Sequence, residues 1–174
     1  MRTVTRVISA ALIAVVAVLI VYSFERRLSG QRGDWPDSPL IGKPAPGLRL
    51  TLFDGKKFDI AGAPGRPVVL NFWASWCLPC AQEAEELNRA QRAYGKDAVI
   101  MGVNVMDDRE AALEFIARHG VEYPNGYDPD KAVHIDYGVA GVPETFFISP
   151  DGRIVSKISG PVTFAEISSG LRQN

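Results

Sequence analysis

Between Val68 and Ala74 every position is apolar except Asn71, a run that suits a central strand buried on both faces. Beyond it, Cys80, Ala84, Leu87, Ala90 and Tyr94 recur at spacings of three and four among strong helix formers. This spacing predicts an amphipathic helix, with Gly95 just past its end where a left-handed turn is tolerated. Val99 to Val105 reads as a second strand. Asp107, followed three residues later by Glu110, reads as a capping-box start for a helix through His119 that Gly120 stops. The order β-α-β-α with helices as crossovers predicts a parallel core to the sheet.

The flanks add antiparallel pieces. Leu48 to Thr51 and Lys57 to Ile60 surround Phe53-Asp54-Gly55-Lys56, whose Asp-Gly pair favours a hairpin, and the Gly/Pro cluster from Gly62 to Pro67 ends it. Asp128-Pro129 suggests an N-cap and first-turn proline for a short helix ending near Tyr137, after which Gly141-Val142-Pro143 breaks the chain. Thr145 to Ser149 and Arg153 to Ser159 read as strands joined by the turn Pro150-Asp151-Gly152. Thr163 with Glu166 opens a last helix towards Leu171.

A different pattern occupies the N-terminus. Val7 to Phe24 carries no charge, proline or glycine and follows Arg2 and Arg6, close to the ~20 apolar residues of a membrane-spanning helix. A cleavable signal peptide would have a shorter apolar region ending at a small-x-small site, of which Val21-Tyr22-Ser23 is a poor version. Arg26, Arg27 and Arg32 follow the apolar stretch about as closely as Arg2 and Arg6 precede it, so charge alone does not orient it. Ser29 to Pro46 is rich in Gly, Pro, Ser and Asp and lacks either period, as a tether does. The expected organisation is an uncleaved anchor over residues 1–28, a linker over 29–46 and one domain over 47–174, large enough to fold around its own core.

The balance of 19 basic and 20 acidic residues argues against nucleic acid as a partner. Two cysteines cannot form a multi-bridge scaffold. They stand three positions apart in NFWASWCLPC, where the buried strand gives way to the helix. A thiolate at Cys77 would be stabilised by the unpaired N–H groups and dipole of the first helical turn, placing its pKa below the free value of ~8.5. Cys80 could then close on Cys77 and expel a bound partner, with Pro79 restricting the loop. Glu83, Glu85 and Glu86 would oppose the thiolate, weakly if exposed and screened.

Other uses of the pair compete with this one. A zinc site wants four ligands, and the chain offers no second C-x-x-C and only two histidines, so no metal is expected. A purely structural disulfide would close too short a loop to constrain the unfolded chain much, and inert buried thiols fit poorly beside Trp76. A peroxidase would place a threonine three residues before the reactive cysteine, where this chain has Ala74. His119 and His134 lie apart from acids and thiols and receive no role.

FWASWCLPC resembles the active-site segment of the thioredoxin superfamily, and Gly141-Val142-Pro143-Glu144-Thr145-Phe146 resembles its proline loop. More narrowly, MGVNVMDD, IDYGVAGVPETFFISPDG and ISGPVT, in that order after an N-terminal anchor, resemble the membrane-tethered thiol:disulfide interchange proteins of cytochrome c maturation, the DsbE (CcmG) family, with ResA and TlpA proteins as close relatives. The resemblance spans roughly Ile41 to Val162. It implies a thioredoxin-like α/β fold, a central mixed sheet flanked by helices, with an N-terminal β-hairpin and one preceding transmembrane helix.

For single residues, the resemblance makes Cys77 the attacking and Cys80 the resolving thiol of a redox-active disulfide that needs no other cofactor. Pro143 becomes a cis-proline opposite them, with Val142 offering backbone groups to an extended client. Trp76 would lie partly exposed over the thiols, Trp73 would pack behind them, and Glu144 would sit beside them and tune them. Asp107 and Asp108 resemble the family's acidic pair, although the capping role of Asp107 is preferred. General thioredoxins carry a buried Asp where this chain has Asn71, so a water or Glu144 would have to take the resolving thiol's proton.

The implied partners are an apocytochrome c with its C-x-x-C-H disulfide and an integral membrane electron donor. The implied setting is a single-pass monomer of the cytoplasmic membrane with its domain facing the periplasm or cell exterior. Two alternatives stay open: a ResA/TlpA-like reductase of another client, such as a copper-delivery protein, and a non-catalytic module that holds thiols or haem.

Overall fold

A computed structural model describes residues 38–60 and 65–172. The apolar segment expected to anchor the chain lies outside the described residues, none of whose helices is long and apolar enough to cross a membrane.

Seven strands form one mixed sheet in the order β2-β1-β5-β4-β3-β6-β7. They are β1 (Arg49–Leu52), β2 (Lys57–Asp59), β3 (Val68–Trp73), β4 (Val99–Val105), β5 (Asn125–Asp128), β6 (Glu144–Ile148) and β7 (Ile154–Ser159). The parallel core is β3, β4 and β5, linked by α1 (Leu78–Tyr94) and α2 (Arg109–Arg118). The hairpin β1–β2 joins antiparallel at β5, and β6–β7 joins antiparallel at β3. Two further helices, α3 (Ala132–Asp136) and α4 (Phe164–Arg172), complete the fold.

Side chains of β3 alternate between two apolar layers, as strand geometry requires. Val68, Leu70 and Phe72 join Leu50, Val103, Phe146 and Tyr137 on one face. Val69 packs with Leu87, Ala90 and Ile167 on the other, and Trp73 with Ala112 and Phe115 beside them. The apolar seam of α1 thus lies on the sheet next to α4, and the C-terminal end of β3 delivers the chain to the first turn of α1.

The predicted elements recur with instructive changes. Strand β5, Asn-Gly-Tyr-Asp, has no apolar run to announce it. Gly126 is required there because a Cβ would stand 2.7 Å from Leu50 Cδ1. Helix α2 is capped by Asp108, not Asp107: the Asp108 carboxylate accepts from Glu110 N at 2.8 Å and Ala111 N at 3.1 Å. The short helix begins after Lys131 in place of Asp128, which closes β5 and accepts from His134 N at 2.9 Å. Gly95 is right-handed (φ −60°), and its lack of a side chain serves the close approach to Gln91 O, 2.5 Å from where a Cβ would lie.

The boundary of the linker also shifts. Residues 38–46, expected in the tether, are bound to the turn and strand at β7: Gly42 N donates to Ile154 O, Ile154 N to Lys43 O and Ala45 N to Gly152 O at 2.7–3.0 Å. Tyr137 Oη donates to Pro46 O at 3.0 Å. This segment belongs to the domain because its backbone groups find partners there.

Candidate active site

Cys77 ends the loop after β3 and serves as the N-cap of α1, its Sγ accepting from Cys80 N at 3.1 Å. Cys77 and Cys80 are joined in a disulfide. Both are buried, whereas Trp76 and Leu78 on either side are 62% and 73% exposed, and Pro79 between them is exposed too. Reaching the sulfurs therefore means passing over a rim of apolar side chains, which an extended peptide can cover.

The preceding loop is stapled to the end of β4. Asp107 accepts from Ser75 N at 2.5 Å, Ser75 Oγ at 2.7 Å, Asn104 Nδ2 at 2.7 Å and Asp108 N at 2.9 Å. Trp76 Nε1 donates to Met106 O at 3.0 Å, so the exposed indole is held at one end. Met106 has φ of 52°, an uncommon conformation for a side chain of its size. Between these residues and Asp128, Pro129 and Lys131 lies a cleft of about 610 Å³.

Behind the disulfide, Trp73 is buried, stacks on Phe115 with ring centroids 4.7 Å apart and donates to Asn125 Oδ1 at 2.7 Å. Gly102 on the neighbouring strand makes room for this bond, since a Cβ there would overlap Asn125 Oδ1.

Across from the cysteines, the Val142–Pro143 bond is cis. Val142 packs in the same cluster as Cys77 and Cys80, and among the described residues its N–H and C=O make no hydrogen bond. The next residues are anchored: Gly160 N donates to Pro143 O at 2.9 Å. Cys77, Cys80, Trp76, Pro79, Val142 and Pro143 are thus brought to one end of the sheet.

Glu144 arrives differently. In register with Phe72, it projects to the Phe146 and Tyr137 face, opposite the face covered by α1. There it is buried against Lys157, with Oε2 2.9 Å from Nζ.

The carboxylate on the thiol side is Glu83, which the sequence pattern grouped with exposed helix charges. It lies one turn beyond Cys80 and is 2% exposed. Its Oε1 accepts from Asn71 Nδ2 at 2.8 Å and its Oε2 from Val162 N at 2.8 Å. Asn71 Nδ2 also donates to Thr145 Oγ1 at 3.0 Å. Burial pushes the Glu83 carboxyl up to about 8, against the opposing effect of the bonds from Val162 N and Asn71. The signal for Glu83 was present: three positions after Cys80 and four before Leu87, it lies on the buried seam. Among the described residues no group of three or more His, Cys, Asp or Glu side chains converges on a metal position.

Residues 41–157 match the model of the AhpC/TSA family. The thiol:disulfide interchange protein HelX of Rhodobacter capsulatus is 41% identical over 128 residues, 71% of this chain and 70% of that protein. DsbE of Yersinia pestis is 37% identical over 86% of this chain and 79% of its own length. The thiol-disulfide oxidoreductase ResA of Bacillus anthracis is 31% identical over 76% of this chain and 78% of its own. Among solved structures, a DsbE-type protein from Chlorobium tepidum superposes with a TM-score of 0.69 at 28% identity, covering 75% of this chain and 94% of that one. With a disulfide at the head of α1 in a thioredoxin-like sheet, the chain belongs to the AhpC/TSA family and, within it, to the thiol-disulfide oxidoreductases of the DsbE and ResA type.

Proposed function

We propose that this oxidoreductase reduces the disulfide of an apocytochrome c C-x-x-C-H segment outside the cytoplasm, so that the two thiols can accept haem. The observation that carries the reading is the placement, against Cys77 and Cys80, of the cis Val142–Pro143 bond and of a Val142 backbone that is unpaired among the described residues. An extended client can add to such a loop by main-chain hydrogen bonds. Its cysteine then lies over the thiols. The motif resemblance supports the choice of client, and the similarity to proteins named for thiol:disulfide interchange supports the chemistry.

In the reduced enzyme the Cys77 thiolate, favoured at the first turn of α1, attacks one client sulfur. The client disulfide breaks, a mixed disulfide forms on Cys77, and the other client sulfur leaves as a thiolate that takes a proton from water. Cys80 then loses its proton and attacks Cys77 Sγ, which closes the enzyme disulfide and releases the second client thiolate. Two electrons have passed to the client. Glu83 is the nearest fit for the Cys80 proton: it is one helical turn away, buried, and raised to about 8, close to the value of a thiol. Glu144, on the other face of the sheet, is not placed for that transfer.

Residues 1–28 would tether the monomer to the cytoplasmic membrane with the domain outside, and an integral membrane carrier would return the electrons. Cys80→Ala in the full chain should arrest the reaction at the mixed disulfide. Apocytochrome c attached through Cys77, identified by mass spectrometry, supports the proposal. Attachment of copper-delivery proteins alone would favour a ResA/TlpA-like client, and no Cys77-linked species would favour a holding module.

A further inference from the structure

Glu144 and Lys157 form a buried ion pair, their side chains only 3% and 9% exposed. Such a pair is a poor source of stability, because desolvation offsets most of its attraction. Its geometry suggests another use. Glu144 immediately follows Pro143, and while its Oε2 faces Lys157 Nζ at 2.9 Å, its Oε1 faces Ala140 N at 3.4 Å. One carboxylate therefore ties β7 to the start of the loop that ends in the cis Val142–Pro143 bond. Lys157 is itself fixed: its ammonium lies 5.4 Å from the centroid of the Phe146 ring, within the range of a cation–π contact.

We propose that Lys157 is a positioning residue for client capture, holding Glu144 and through it the Ala140–Pro143 loop in the conformation that receives an extended peptide. The inference rests on the reading that this loop is where the client binds. Lys157 acts from the sheet face opposite the helix that carries the disulfide, so its contribution falls on peptide docking and not on sulfur chemistry.

The test compares two oxidised substrates of the full chain, which is reduced beforehand and freed of reductant because a free dithiol would reduce both substrates directly. KM and kcat are taken from the saturation of the single-turnover rate, read by tryptophan fluorescence. One is a disulfide-bonded C-x-x-C-H peptide; the other is 5,5′-dithiobis(2-nitrobenzoate), which has no backbone to dock. Lys157→Met should raise KM for the peptide about tenfold with kcat little changed, and alter turnover of the small disulfide less than about twofold. Lys157→Arg, which keeps the charge, should restore the peptide KM. A peptide KM within twofold of wild type in Lys157→Met, or an equal rise for both substrates, overturns the proposal.

If Lys157→Met fails to fold because it leaves Glu144 buried and unpaired, the double variant Lys157→Met/Glu144→Gln removes that charge as well. It should fold and still show the raised peptide KM. A wild-type KM in the double variant, or its failure to fold, overturns the positioning role. Wild-type protein that turns over the small disulfide but not the peptide removes the client reading and this inference with it, whereas failure confined to the Lys157 variants leaves the client reading standing.

Discussion

Asn71 and Glu83 meet one helical turn beyond Cys80, the amide of β3 donating to the carboxylate of α1 at 2.8 Å. An amide at the strand position cannot exchange a proton, and the neighbouring helix supplies a group that can. In the proposed mechanism the pair would divide between two residues what a single buried acid could do alone: Asn71 orients the carboxyl, and Glu83, raised to about 8 by burial, takes the proton.

Glu83→Gln should slow resolution of the mixed disulfide about 10- to 100-fold at pH 7 while leaving attack by Cys77 less affected. Rapid-quench alkylation of the reaction with a peptide disulfide would resolve the two steps. Equal slowing of both steps would place Glu83 outside the resolution chemistry.

The same carboxyl sets a slope in stability. Its folded-state value, about 8, lies above its ordinary value of 4.5, so between those limits the folded chain binds more protons than the unfolded one. Stability from this group is complete below about pH 4.5 and is lost as pH rises towards 8, by up to a few kcal/mol. Urea denaturation of the oxidised protein at pH 5, 6, 7 and 8 should show this decline, and Glu83→Gln should be flatter over the same window.

Asp107→Ala removes the acceptor of four hydrogen bonds, two that hold the loop before Cys77 to the end of β4 and two, from Asn104 and Asp108, within that end itself. Loss of about 2–4 kcal/mol is expected, since the Ser75 N–H and Asn104 amide lose their partner in a partly buried site. Denaturant titration measures the loss. Asp107→Asn should recover part of it, because one amide oxygen can still accept.

Gly102→Ala places a methyl group on Asn125 Oδ1 and 2.9 Å from Trp73 Nε1. The strand is central and cannot yield, so the Trp73–Asn125 bond must break, at a cost of about 2 kcal/mol or more. The loss should appear in the Tm together with a changed emission from Trp73; an unchanged Tm would mean that β4 and β5 separate easily.

Much of the framework was legible because its signals are local. The apolar run of β3, the seam of α1 and the turn before β7 each report their own element. Pro143 stood out by its motif, and the structure places its cis bond against the cysteines. What escaped depends on partners distant in sequence. Strand β5 exists because Gly126 admits Leu50 and Asn125 receives Trp73, neither visible in Asn-Gly-Tyr-Asp itself. Asp107 and Asp108 are adjacent and alike, and only Ser75, some thirty residues away, decides which of them is drawn off the helix start. Glu144 followed the proline and was placed by proximity in sequence, yet strand alternation turns it to the far face.

The short segment before α4 is bound at both ends of its length. Gly160 N donates to Pro143 O at 2.9 Å, and Val162 N to Glu83 Oε2 at 2.8 Å. It acts as a gauge block, setting the gap between the cis-proline loop and the helix that carries the cysteines. Its ends are fixed by more than these two bonds, since Gly160 has a left-handed φ of 93° and Val162 is buried in the apolar layer, and a one-residue insertion between them would change the jaw opening itself.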